Sequence, residues 1–135
     1  MPSDADLRPV IADASPLIAL AAAKRFDVLR RLYGRVVVTR AVLDEVMAGG
    51  DRPGARELSA AMRDGWIRGA PTPSDTWAFP DLGMGEASTI ALALRHPGAL
   101  VLMDDVPGRE RAAQHGIETV DSAAVLDDAE RAGLL

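Results

Sequence analysis

Apolar and polar residues alternate between two periods along this chain, and the switches between them mark its elements. Pro9 to Asp13 is a short apolar run ending on an acid, which predicts a buried first strand. Ser15 reads as the cap of a following helix, with Pro16 at its first position and the helix running from Leu17 to about Lys24. A second short helix, Phe26 to Tyr33, stops at Gly34. Arg35 to Val38 is uniformly β-branched after its first residue and predicts a strand buried on both faces. Thr39 caps the next helix, whose stripe is Val42, Leu43, Val46 and Met47, and Gly49-Gly50 ends it. Pro53 is expected to start a helix reaching about Asp64, and Trp66-Ile67 a short third strand. Residues 70–83 carry three prolines and read as a loop. Gly85-Glu86 opens a helix in which Ala87, Ile90, Ala91 and Leu94 recur at helical spacing. Leu100 to Met103 is a fourth strand ending at Asp104-Asp105. A helix from Pro107 stops at Gly116, Ile117 to Val120 is a fifth strand, and Ser122 to about Arg131 a closing helix.

Strands alternating with helices predict an α/β fold, a three-layer α/β/α sandwich around a parallel sheet of four to five strands. The 135 residues suit one domain spanning the whole chain, 1–135. In such sheets, ligands gather beyond the carboxyl ends of the strands.

That rule turns attention to the acids. Asp13 closes the first strand, and Asp104 and Asp105 close the fourth. Glu86 sits in the first turn of the helix leading into strand four, and Glu45 lies beside the Val42/Val46 stripe. Each has a plain explanation in isolation. Asp13 and the Asp104-Asp105 pair suit turns or caps, Glu86 complements a helix dipole, and Glu45 suits the boundary of an amphipathic face. Five acids converging without Lys or Arg between them would repel, and a hard divalent cation with oxygen ligands resolves that conflict. Bound to a phosphodiester, such a cation lowers the pKa of a water and neutralises a leaving oxygen, with no need for a His or Cys nucleophile.

Composition narrows the field. Cysteine is absent, which excludes a disulfide framework, thiol catalysis and thiolate zinc sites, and suits a cytoplasmic setting. Leu20 to Ala23 would suit a signal-peptide cleavage site, but Asp4 and Asp6 spoil a basic leader and Asp13 interrupts the apolar stretch. The uncharged run Leu17–Ala23 is far below the ~20 residues needed to cross a bilayer, so no membrane segment is expected. The net charge of −5 weighs against nucleic-acid binding. Its distribution weighs the other way: Lys24, Arg25, Arg30, Arg31, Arg35 and Arg40 face Asp27 alone, while the last 35 residues are acidic. Every basic residue except Lys24 is Arg, whose planar fork suits phosphate, although a solvated helix face explains the same cluster.

Four segments carry a resemblance: Val10 to Ile18, Val38 to Val46, Leu82 to Ala93, and Leu102 to Asp105 with Arg109, Ala112 and Gly116 behind it. Taken in order, they resemble the PIN-domain family, most closely its VapC-type toxin branch. The resemblance implies a Mg²⁺- or Mn²⁺-dependent ribonuclease in which Asp13, Glu45, Glu86 and an acid of the Asp104-Asp105 pair hold metal. It implies a site-ordering role for Ser15, and homodimers silenced by an antitoxin from the same operon. The chain departs from the branch in having Ala14 directly after Asp13, and Asp121-Ser122 near strand five.

The remaining polar and aromatic residues read more plainly. His96 and His115 stand at helix ends, where they complement dipoles. Arg109 suits either a phosphate contact or orientation of Asp105 on one side, or a surface ion pair on the other. Trp66, Trp77 and Phe79 suit a partner groove or the core. Two competing functions follow. One is a PIN-like module that binds RNA or protein without catalysis. The other is a phospho-receiver, disfavoured because its acid pair would follow strand one and a Lys would follow the last strand.

Overall fold

The computed structural model describes residues 8–135. Asp4 and Asp6, on which the reading of the amino-terminal stretch leans, lie outside the described residues. Five parallel strands form one sheet in the order β3-β2-β1-β4-β5: β1 Val10–Ala12, β2 Val36–Thr39, β3 Ile67–Ala70, β4 Leu100–Leu102 and β5 Glu118–Val120. Among the described residues, seven α-helices accompany them: α1 Ala14–Ala22, α2 Val28–Tyr33, α3 Arg40–Met47, α4 Ala55–Asp64, α5 Met84–Leu94, α6 Val106–Gln114 and α7 Ser122–Arg131. Among the described residues, no helix is long and apolar enough to cross a membrane.

Side chains alternate across the sheet, as the strand period requires. Val10, Ala12, Val36, Val38, Leu100 and Leu102 face one apolar cluster with Leu17, Leu20, Leu29, Val42, Leu58 and Val125. Ile11, Val101 and Met103 face the other, closed by Ile90, Ala91, Phe79 and Ala112. The sheet is therefore covered on both faces, which explains why its strands read as continuous apolar runs.

Several boundaries differ from the sequence expectations. Helix α1 begins at Ala14, so Asp13 occupies the cap position and Ser15 and Pro16 lie inside the first turn. Asp13 N–H completes the ladder with Leu102 O at 2.9 Å, which ends the strand one residue before the helix starts. Pro16 is tolerated there because a first-turn N–H has no helical partner. Pro53 stands in the turns after α3, and α4 starts only at Ala55, where Glu57 reaches back to accept the Gly54 N–H at 3.1 Å. Helix α2 starts at Val28, two residues later than expected, while Phe26 packs on Trp66 with ring centroids 5.8 Å apart. The 70–83 loop contains a short 3-10 helix, Ser74–Ala78.

Candidate active site

The strand order places a switch at β1. From there the chain adds β2 and β3 on one side, then returns to add β4 and β5 on the other. Helices therefore leave β1 and β4 in diverging directions and open a crevice beyond their carboxyl ends. Ala12 pairs with Leu102, so Asp13 and the Asp104-Asp105 pair emerge on the same edge.

Asp13 is only 2 % exposed. Its carboxyl is raised from 3.8 to about 7, chiefly by burial and further by the charges of Glu86, Glu45 and Asp105, against the lowering pull of the Ala14 N–H. Burial of its carboxylate and the nearby Glu86 charge raise Glu45 too. Glu45 is exposed as a residue, and it is its carboxylate end that enters the crowded edge.

Gly85 explains how the first two acids meet. A Cβ on Gly85 would lie 3.2 Å from Asp13 Oδ1 and 3.3 Å from Glu45 Oε1. Both oxygens thus converge on one point and lie no further apart than the sum of those reaches. The missing side chain leaves them that room. Glu86, the next residue, sits in the first turn of α5 and accepts the Gly83 N–H through Oε2 at 2.9 Å. It caps its helix and faces the other acids, so the two explanations of Glu86 are compatible.

The acid pair after β4 divides. Asp104 takes the Ser122 N–H at 2.6 Å on Oδ1 and the Ser122 hydroxyl at 2.9 Å on Oδ2. Both its oxygens are thereby turned to the start of α7. Asp105 caps α6 by accepting the Gly108 N–H on Oδ2 at 2.8 Å, and its charge is the one felt at Asp13. Gly108 permits this: a Cβ there would lie 2.7 Å from Met103 Sδ, so the first turn of α6 sits directly on the strand end.

Four acids, Asp13, Glu45, Glu86 and Asp105, are therefore electrostatically coupled, and Asp104 is bound elsewhere. Among the described residues, no three acidic or histidine side chains already stand at metal-holding distances from a common point. The donors nevertheless fit a hard divalent cation: all are carboxylate oxygens, the most buried has one backbone donor, and Gly85 keeps the space between two of them open.

Other candidates fall outside this cluster. Ser15 is exposed in the first turn of α1. Arg109 donates from Nε to Thr119 Oγ1 and from Nη1 to Asp121 Oδ2, both at 3.1 Å, which ties α6 to β5 and to the cap of α7. It makes neither an Asp105 side-chain contact nor a purely exposed ion pair. His96 and His115 line a cavity of about 400 Å³ with Arg8 and Glu118, at the opposite end of the sheet. Phe79 and Trp66 are core residues, whereas Trp77 is 77 % exposed. The basic run from Lys24 to Arg35 joins the end of α1 to the start of β2, also away from the acids, and only Arg40 stands at their edge. Sequence reasoning gave Thr39 as the cap of α3, which it is, but missed its pairing with Ser88, whose buried hydroxyl it meets at 2.7 Å beneath the site. The signal was present: Ser88-Thr89 interrupts the otherwise apolar face of α5.

Comparison with known proteins agrees with this architecture. Among solved structures, the chain is similar to the PIN domain endonuclease Utp24, with TM-score 0.65 and 16 % identity over 86 % of each chain. It is similar to a PilT N-terminus domain protein, SSO1118, from the hyperthermophilic archaeon Sulfolobus solfataricus P2, with TM-score 0.61 and 15 % identity over 89 % of this chain and 92 % of that one. PAE2754 from Pyrobaculum aerophilum gives TM-score 0.61 and 16 % identity, covering 93 % of this chain and 91 % of its own. At these identities the structures speak to the fold alone. No curated protein matches the chain. The family model described as PIN domain, DUF3368, matches residues 9–135. The chain belongs to the PIN domain family, a family of nucleases.

Proposed function

We propose that the protein is a divalent-metal-dependent endoribonuclease in which Asp13, Glu45, Glu86 and Asp105 hold Mg²⁺ or Mn²⁺. The carrying observation is Asp13, a buried carboxylate crowded by three further acids with no basic side chain among its perturbing neighbours. A folded chain maintains such a cost where a cation offsets it. When bound, the metal supplies an activated water and neutralises the leaving oxygen of a phosphodiester. The chain's own part is to bring four carboxylates to one edge, Asp13 and Asp105 from strand ends, Glu86 from the first turn of α5 and Glu45 from along α3, from which loading draws them together.

In this reading Asp104 is a positioning residue that fixes α7 to the end of β4. Arg109 braces β5 against α6, and exposed Ser15 contacts the substrate or an ordering water. One domain spans residues 1–135. Its family, size and lack of cysteine favour a cytoplasmic RNA-cleaving toxin that forms homodimers and is silenced by a cognate antitoxin, as in the VapC-type branch.

The test is cleavage of a broad RNA panel by purified protein freed of any inhibitor. Cleavage that requires Mg²⁺ or Mn²⁺ and disappears in Asp13→Asn is expected. Intact RNA throughout, with calorimetry showing no divalent binding, would leave the non-catalytic binding module as the better account.

A further inference from the structure

Thr39, Ser88 and Thr89 are fully buried, and with Asp13 they are the buried polar side chains among the described residues. Asp13, Ser88 and Thr89 meet Gly85 directly, and Thr39 reaches it through Ser88. Ser88 Oγ donates to the Gly85 carbonyl at 2.9 Å, and Thr89 Oγ1 donates to the same oxygen at 2.7 Å. Ser88 has a single hydroxyl proton, which is spent on that carbonyl. Its 2.7 Å contact with Thr39 therefore runs from the Thr39 hydroxyl to Ser88 Oγ. Thr39 Oγ1 in turn accepts the Val42 N–H at 3.2 Å, in the first turn of α3.

The proton directions form one ordered chain: Val42 N–H to Thr39, Thr39 to Ser88, Ser88 to Gly85. It begins on the helix that carries Glu45 and ends on the residue whose missing Cβ accommodates Asp13 and Glu45. Glu86 follows directly. Back-bonding to a preceding carbonyl is ordinary for Ser or Thr within a helix and explains Thr89. It does not explain a hydroxyl pair between the end of β2, where Thr39 caps α3, and α5, in a layer where Val and Ala would fill the space without polar groups to satisfy.

We propose that Thr39 and Ser88 are positioning residues for the acid edge, locking the first turn of α5 to the first turn of α3 and thereby setting Glu86 and Gly85 against Glu45 and Asp13. The proposal rests on the metal-dependent reading above and deepens it. Neither residue touches metal or substrate, so their effect is to be read in metal affinity rather than in fold.

The experiment is a thermal-shift titration with Mn²⁺ alone on the full chain. The double variant Thr39→Val/Ser88→Ala removes both hydroxyls together and leaves no orphaned partner between them. Relative to wild type, its half-saturating Mn²⁺ concentration is expected to rise roughly tenfold, in the range found for groups that orient metal ligands. RNA cleavage should lose kcat with KM unchanged, and Thr39→Ser should respond to Mn²⁺ as wild type does. If the double variant does not fold, Ser88→Ala is read by the same Mn²⁺ midpoint, with the cost of its unpaired Thr39 hydroxyl taken from the melt without metal. A variant that melts lower without metal yet keeps the wild-type Mn²⁺ midpoint overturns the proposal and leaves the nuclease reading standing. A wild-type protein with no Mn²⁺ response overturns both.

Discussion

Two aspartates stand just beyond adjacent parallel strands, and the fold treats them oppositely. Asp104, after β4, has both carboxylate oxygens bound by Ser122, one from the backbone and one from the hydroxyl. Asp13, after β1, is more deeply buried, receives one backbone N–H and faces three other acids. The first arrangement stabilises the chain, because a carboxylate in hydrogen bonds to N–H and O–H is well solvated by protein. The second costs stability, because a buried charge without partners loses water and gains little. Residue type and topological position are nearly the same. Burial, neighbouring charge and donors differ, and the difference separates an acid bound into the fold from one left without such partners.

The largest test of that contrast is Asp13→Asn. Divalent-dependent cleavage is expected to fall at least ~100-fold, measured under single-turnover conditions. The same substitution should stabilise the metal-free chain at high pH. Asp13 titrates near 7 when folded, against 3.8 as its ordinary value. Its contribution to stability is therefore fully present below pH 3.8 and is lost as pH rises through 7, up to about 4 kcal/mol. Urea unfolding with chelator at pH 5 and pH 8 should show wild type losing stability and Asp13→Asn losing much less. Equal losses would show that Asp13 does not carry the strain.

The converse substitution, Asp104→Ala, should lower stability by about 1–3 kcal/mol, because it orphans Ser122 N–H at the start of α7. Cleavage by the folded fraction should persist. Abolished cleavage with unchanged stability would reverse the assignments of Asp104 and Asp105.

Glu86→Gln comes next in size. The amide oxygen can still accept the Gly83 N–H, so the melting temperature should hold, while Mn²⁺ affinity falls by about tenfold. A lower melting temperature with unchanged affinity would reduce Glu86 to a cap. The smallest stability effect is expected from Gly85→Ala, where better helix propensity offsets the tight approach to two carboxylates. Its signature is a weaker Mn²⁺ response at near-constant stability.

Much of this was legible in the sequence. Apolar runs placed four of the strands, while Trp66-Ile67 marked only the start of β3, Ile67–Ala70, and the rule about carboxyl ends turned attention to Asp13, Glu45, Glu86 and the Asp104-Asp105 pair. Local chemistry was less decisive. Asp-Ala-Ser-Pro permits a helix starting after either Asp13 or Ser15, and the choice was made by a ladder bond from Asp13 to Leu102, far away in sequence. The division of labour between Asp104 and Asp105 depends on where α7 begins in space. The Thr39–Ser88 pair joins residues separated by 49 positions, and polar residues on an apolar face hinted only that something there was satisfied.

The strand order has a consequence for when the site comes into being. Asp13, Glu45 and Glu86 are all synthesised before β4, yet the edge they share is completed only when Leu102 pairs with Ala12 and brings Asp105 alongside. Closing so long a loop carries an entropic cost that local contacts do not. A nascent chain stopped short of β4 holds three of the four coupled acids and no common place to put them, so competence arrives with the last third of the molecule.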